Sequence, residues 1–308
     1  MIIAIVGRPL RGHLLIVPVL LVALAAACAG RTQAAGGPLQ VVAAENFWGS
    51  IAAQLGGKRV RVTSVITNPA TDPHDYEPTA VDARTIAGAQ MVIENGIGYD
   101  PWAAKLVAAN PVHGRVVLDV GKVVGVSDGG NPHRWYSPTN VQQVISAIVA
   151  DYTTLDPKDA AYFRAQKAQF ETKGLAQYTQ LIAVIRRKYR GIPVGASESI
   201  FAPLAQALGL HLVTPPSFLK AISEGTEPTA ADKTTIDRQI VHRQIRVWVY
   251  NSQNSTPDVA RLTAAARKNG IPVTTVTETL SPASATFQAW QARQLKALLV
   301  ALASGVHR

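Results

Sequence analysis

The sequence predicts an α/β fold of two lobes, each with a roughly four-stranded parallel sheet flanked by helices, joined by one long backbone helix. Three observations carry this reading. Short β-rich apolar runs alternate with helical patterns between residues 39 and 120. A stretch poor in helix breakers follows from Pro157 to Arg190, with Gly174 as its one glycine. The β/α alternation then resumes after Gly191. Strands that alternate with helices pair in parallel and are covered on both faces.

In the first lobe, residues 38–155, strands are expected over Leu39–Ala44, Val60–Ile66, Met91–Glu94 and Arg115–Val120. Helices are expected over Asn46–Leu55, Val81–Ala89 and Pro101–Ala109. Ser137-Pro138 has the form of a helix start, a cap followed by a proline in the first turn. Val141, Val144, Ile145, Ile148 and Val149 behind it make an apolar stripe at helical spacing. Asp156-Pro157 is a second such start and opens the connecting segment, residues 156–190. A continuous helix over Pro157–Arg190 would be about 50 Å long, a spine between lobes. In the second lobe, residues 191–308, strands are expected over Ile192–Ala196, His211–Thr214, Arg246–Tyr250 and Pro272–Thr277. Helices are expected over Ile200–Leu208, Thr229–Arg243, Pro257–Lys268 and Ala283–Ala303.

The N-terminus reads as an export signal, residues 1–27. Arg8 and Arg11 precede an apolar run from Leu14 to Ala27, interrupted only by Pro18. That run is shorter than the ~20 residues of a membrane span. It ends in Ala25-Ala26-Ala27-Cys28, and Cys28 is the only cysteine. Small residues before a cysteine resemble a bacterial lipobox, which makes Cys28 the expected lipidation site and residues 28–37 a tether. The chain would then be anchored on the outer face of the cell membrane. No disulfide can form within one chain. The composition is basic, with a net charge of +10 and a pI near 9.9. Its Lys and Arg are scattered, without the basic runs and interleaved aromatics of a nucleic-acid binder, so nucleic acid is excluded as a partner.

Four loop or strand-end positions carry candidate chemistry. Asp72-Pro73-His74-Asp75-Tyr76-Glu77-Pro78 follows the second strand, and Asn131-Pro132-His133-Arg134-Trp135 precedes the capped helix. Ser197-Glu198-Ser199 and Thr277-Glu278-Thr279 end strands of the second lobe. Ligands of open α/β sheets lie beyond the carboxyl ends of the strands. Two imidazoles and two carboxylates could complete the shell of a dication and neutralise it. No two of them form a local metal motif, and a loop His or Glu taken singly is more often a solvated surface residue. Asp72, Asp75, Glu77, Arg134, Glu224 and Glu227 serve equally well as supporting residues or as surface charges. Phe47, Trp48, Trp102 and Trp135 read as core or cleft walls, and His113, His211, His242 and His307 as structural or solvated.

With these motifs in order, the chain resembles the zinc/manganese-binding lipoproteins of ATP-driven metal importers, the TroA-like solute-binding proteins. Asp72–Pro78 is similar to their first metal-binding motif. Asn131–Trp135 resembles the second, usually Asp-Pro-His-x-Trp. Asp156-Pro157 with Tyr162 resembles the start of their connecting helix. Ser197-Glu198 with Phe201 matches the segment of the third ligand, His or Glu. Glu224–Thr229 resembles a loop ending in Glu-Pro-Ser, and Glu278 stands where the fourth ligand is usually Asp. The resemblance spans Leu39 to Ala303. It implies His74, His133, Glu198 and Glu278 as metal ligands, and one divalent ion, manganese or zinc, as cargo. It further implies a cognate ABC permease as partner, a monomer, and no catalysis. Two departures stand out: Glu278 is one methylene longer than Asp, and Asn131 replaces a carboxylate. The segment Gly121–Gly130 lacks the histidine-rich loop of many zinc importers, which leans the expectation towards manganese. The alternatives are the same scaffold binding an iron chelate or haem and, less favoured for want of a His-Glu-x-x-His helix, a zinc-dependent hydrolase.

Overall fold

The computed structural model describes residues 37–306 and the isolated positions Ile3, Ala4 and Gly7. Apart from those three positions the predicted signal lies outside the described residues, as do Cys28, nearly all of the tether and His307. Pro38–Arg308 form one compact unit, which contains all three hydrophobic cores.

The first sheet is built from β1 (Leu39–Glu45), β2 (Val60–Ile66), β3 (Met91–Glu94) and β4 (Val116–Asp119), in the order β2-β1-β3-β4. Every pairing is parallel. Helices α1 (Asn46–Gly56), α2 (Ala80–Ala87) and α3 (Pro101–Ala109) make the crossovers, and the short α4 (Val120–Val124) follows β4. β1 and β3 are buried along nearly their whole length, as expected for strands covered on both faces. A capping box starts α2: Thr79 Oγ1 accepts from Asp82 N at 3.3 Å, and an Asp82 oxygen accepts from Thr79 N at 2.7 Å.

Helix α5 (Pro138–Leu155) starts at Ser137, whose Oγ accepts from Asn140 N. Its predicted stripe, Val141 to Val149, is buried. The expected continuous spine is instead helical in two pieces, α6 (Ala160–Gln169) and α7 (Ala176–Tyr189). A π-helical turn, Phe170–Gly174, separates them, with Leu175 N donating to Phe170 O at 2.8 Å. The cause is local. Phe170 is buried, and its ring lies where a side chain on residue 174 would go: a Cβ there would stand 2.9 Å from the ring. Gly174 permits the wide turn that seats Phe170 in the core.

The second sheet repeats the first. β5 (Pro193–Ala196), β6 (His211–Leu212), β7 (Trp248–Asn251) and β8 (Val273–Val276) run parallel in the order β6-β5-β7-β8. Around them lie α8 (Ala202–Leu208), α9 (Pro216–Ser223), α10 (Ala230–Val241), α11 (Pro257–Lys268) and α12 (Phe287–Val306). Strand β6 is shorter than predicted because Thr214 takes over a ladder bond with its side chain, Oγ1 accepting from Ala196 N at 2.9 Å. Helix α9 lies where no element is expected from the sequence; Pro216 occupies its first turn, where a missing N–H costs nothing.

The largest core runs through both lobes and the helices between them, from Leu39 through Tyr152 and Ile185 to Leu302. Polar bonds also cross between the lobes: Tyr136 Oη donates to Thr277 O at 2.9 Å, and Leu280 N donates to Asn46 Oδ1 at 3.1 Å. Among the described residues no helix is long and apolar enough to cross a membrane.

Candidate metal centre

The four expected ligands come from four different segments and converge at the carboxyl ends of the two sheets. His74 lies on the loop from β2 to α2, and His133 directly before α5. Glu198 follows β5, and Glu278 follows β8. His133, Glu198 and Glu278 are buried, whereas His74 is half-buried.

His133 is fixed by its neighbour. Asn131 Oδ1 lies 2.8 Å from His133 Nδ1 and also accepts the His133 backbone N–H at 3.0 Å. Asn131 Nδ2 donates to Ser199 O at 2.7 Å, which settles the orientation of the amide. An oxygen facing Nδ1 assigns the proton to Nδ1 and leaves the lone pair on Nε2, the arrangement a metal-binding histidine needs. His133 Nε2 is buried without a hydrogen-bond partner. The amide oxygen of Asn131 thus does the orienting that a carboxylate does elsewhere, so this departure leaves the tautomer intact.

His133 Nε2 stands 3.5 Å from Glu278 Oε2. An ion about 2.1 Å from both atoms would subtend an angle of about 110°, close to tetrahedral. The longer side chain of Glu278 therefore reaches the point at which Nε2 aims. The rings of His74 and His133 have their centres 6.4 Å apart. Two imidazoles on one ion at the tetrahedral angle would sit about 5 Å apart, so His74 needs a shift of about an ångström. Consistently, no three His, Cys, Asp or Glu side chains among the described residues stand as a closed metal shell. Of the four expected ligands, His74 is the one free to make this movement. It sits on a loop without regular structure, held by its backbone N–H on Asp72 Oδ1 at 2.9 Å and by an edge contact with Tyr99.

Each oxygen of the two carboxylates already has a donor. Asn251 Nδ2 donates to Glu198 Oε1, and to Glu278 Oε1 at 2.9 Å. Asn254 Nδ2 donates to Glu198 Oε2 at 2.7 Å, and Tyr99 Oη to Glu278 Oε2 at 2.9 Å. Burial and mutual repulsion push Glu198 up to about 8. Burial pushes Glu278 up to about 7, partly offset by His74 and Tyr99. Burial lowers His133 to about 4 and also lowers His74. The imidazoles are therefore neutral near pH 7, and the carboxyl pair holds protons that a dication would displace.

The sequence motifs point to titratable ligands, and Tyr99, Asn251 and Asn254 are neutral donors that lie outside them. Asn251 closes β7, so the strand-end rule applied to amides would have found it. The other candidates divide. Phe47, Trp48, Trp102 and Trp135 are buried, and Phe47 stacks on Trp135 at 4.0 Å behind His133. Glu227 pairs with Lys233, and Glu224 with Lys220 at 3.6 Å. His113, His211 and His242 are exposed.

Two lobes of identical strand order, closing on a His/His/Glu/Glu cluster at their strand ends, define the class of two-lobed solute-binding proteins. The comparisons give the family. The profile of zinc-uptake complex component A, periplasmic (ZnuA), matches residues 41–301, and the chain belongs to that family. It is similar to the metal ABC transporter substrate-binding lipoprotein FimA of Streptococcus parasanguinis, 26% identical over 276 residues, covering 82% of this chain and 84% of the relative. It is also similar to the manganese ABC transporter substrate-binding lipoprotein PsaA of Streptococcus anginosus, 25% identical, with 85% and 87% covered. In fold it is similar to the Mn-bound periplasmic metal-binding protein of Candidatus Liberibacter asiaticus, with a TM-score of 0.69 at 20% identity, covering 85% of this chain and 98% of that one. FimA and PsaA are named as substrate-binding lipoproteins of ABC transporters, and the Liberibacter protein as a periplasmic metal-binding protein.

Proposed function

We propose that this chain captures a divalent transition metal, manganese or zinc, between its lobes and delivers it to a cognate ABC importer. His74, His133, Glu198 and Glu278 are the ligands. The observation that carries the reading is the buried, unpartnered lone pair of His133 Nε2 aimed beside Glu278 Oε2 at a near-tetrahedral donor spacing. The relatives named as manganese-binding and metal-binding lipoproteins support it. Four protein donors fill a tetrahedral zinc shell, and carboxylates binding through both oxygens would fill the larger shell of manganese, so no position is kept for an activated water and the protein binds without turnover.

Capture begins at the three buried ligands, and the His74 loop then closes on the ion. Release follows when docking on the permease draws His74 back or shifts the lobes slightly. The chain acts as a monomer outside the cell, held to the membrane through lipidated Cys28. The test is thermal unfolding of metal-free protein with added Mn²⁺ or Zn²⁺. Wild type should melt at a higher temperature with either ion, and a His133→Ala variant should not respond. An equal rise in both proteins would reject the site.

A further inference from the structure

The parallel strands of the second sheet point their carboxyl ends at the metal centre, so their amino ends form the opposite pole of that lobe. Arg190 precedes β5, Arg243 and Arg246 precede β7, and Lys268 precedes β8. Arg267 and Lys296 line one groove of ≈ 690 Å³ at this end, and Arg243 and Arg246 line the groove beside it. All six side chains are exposed. None of them has a carboxylate within ion-pair distance among the described residues. The sequence explains why: residues 238–257, 259–277 and 279–306 contain no Asp or Glu.

Exposed apolar side chains gather here too. Val241 ends α10 at 58% exposure, and Val300 and Val306 lie on the last turns of α12 at 66% and 41%. Basic residues in a last helical turn complement the helix dipole, which accounts for Arg267 and Lys268. It does not account for Arg243 and Arg246 in the loop beyond α10, for Lys296 in the middle of α12, or for the valines. The corresponding pole of the first lobe is less basic: α1 and α3 end without a basic residue, Arg59 pairs with Asp159 at 3.2 Å, and Arg115 gives its guanidinium to three backbone carbonyls, which leaves Lys58, Arg61 and Arg84 exposed there beside Val112 and Val117.

We propose that this basic, valine-bearing pole of the C-terminal lobe docks on anionic phospholipid headgroups. Long basic side chains reach phosphates while their stems and the neighbouring valines enter the interface. A tethered chain would then lie against its membrane rather than swing freely on its tether. The biological setting rests on the membrane-tethered reading above, but the test needs neither anchor nor metal.

Residues 38–308 are sedimented with vesicles of phosphatidylcholine, with and without phosphatidylglycerol, at low and high salt. Binding is expected only to the anionic vesicles, and salt should weaken it. At about fivefold per basic residue, Arg243→Glu/Arg246→Glu/Lys296→Glu should bind at least about 100-fold more weakly. Lys268→Ala/Lys296→Ala should bind about 25-fold more weakly on the same scale. Both variants are checked for a wild-type melting curve without metal, which reports folding independently of the metal site. The proposal is overturned by failure to bind anionic vesicles, by equal binding to neutral ones, or by wild-type affinity in the double variant. Capture by soluble polyglutamate without vesicle binding would instead assign the pole to an acidic protein partner.

Discussion

Acidification should release the metal through its carboxylates, not its histidines. Lowering the pH from about 8 to about 6 is the perturbation. Over that window His133, lowered to about 4, stays neutral, and His74 is also lowered. Glu198 and Glu278, raised to about 8 and about 7, take up protons. Metal needs both as carboxylates, so each bound proton must be expelled before the shell closes. Affinity is therefore full above the raised values and falls as pH drops through them. One displaced proton costs about tenfold per pH unit and two cost more, so the drop should lie between about 50-fold and about 500-fold. The assay is competitive Mn²⁺ titration at each pH, paired with calorimetry in buffers of different ionisation enthalpy to count released protons. Glu278→Gln should bind weakly but with a shallower pH dependence. An affinity flat from about pH 8 to about pH 6.5, falling only where an ordinary histidine titrates, would refute the reasoning.

Three further outcomes follow from the packing. Burial raises Glu45 well above its usual range, helped by repulsion from Asp100 and Glu94, while burial takes Asp100 to about 6 and Glu94 to about 7. For carboxyls raised on folding, the stabilisation is present at low pH and is lost as pH rises through the folded values. Glu45→Gln should therefore raise Tm clearly at about pH 8 and little at about pH 5; an equal shift at both would contradict this cause. Asn251→Leu removes a donor from both glutamates at once and leaves two buried acceptor oxygens unsatisfied, at about 1–3 kcal/mol each. It should lower the Tm of metal-free protein, and added metal should raise that variant's Tm more than wild type's, because the dication compensates the same oxygens. Equal gains in differential scanning fluorimetry would count against the clamp. Gly305→Ala would place a Cβ 2.1 Å from Arg246 O. Backbone cannot yield as a side chain does, so urea unfolding should show a loss of about 1–3 kcal/mol, and an unchanged midpoint would show that α12 can shift freely.

The two sheets were legible because their strands are short apolar runs bounded by helix starts such as Ser137-Pro138 and Asp156-Pro157. β2, β3, α3 and α11 fall on their expected bounds. The break in the spine was not legible, because the π turn depends on where Phe170 must pack and Gly174 alone does not announce it. At the site, His74, His133, Glu198 and Glu278 came from motif order and strand ends. The amide clamp of Asn251 and the Tyr99 bond to Glu278 were hidden for a different reason. They act across 27 and 179 residues of chain, and neither side chain has a charge or a local motif to mark it. That Asn131 can stand in for the usual carboxylate is also invisible in sequence, because it depends on its amide oxygen facing His133 Nδ1.

The most direct measurement of the central claim is the metal content of purified residues 38–308 by mass spectrometry, beside His74→Ala/His133→Ala. The account predicts one equivalent of manganese or zinc in the wild type after reloading, and none in the variant. Little metal in both, or the same metal in both, would contradict it.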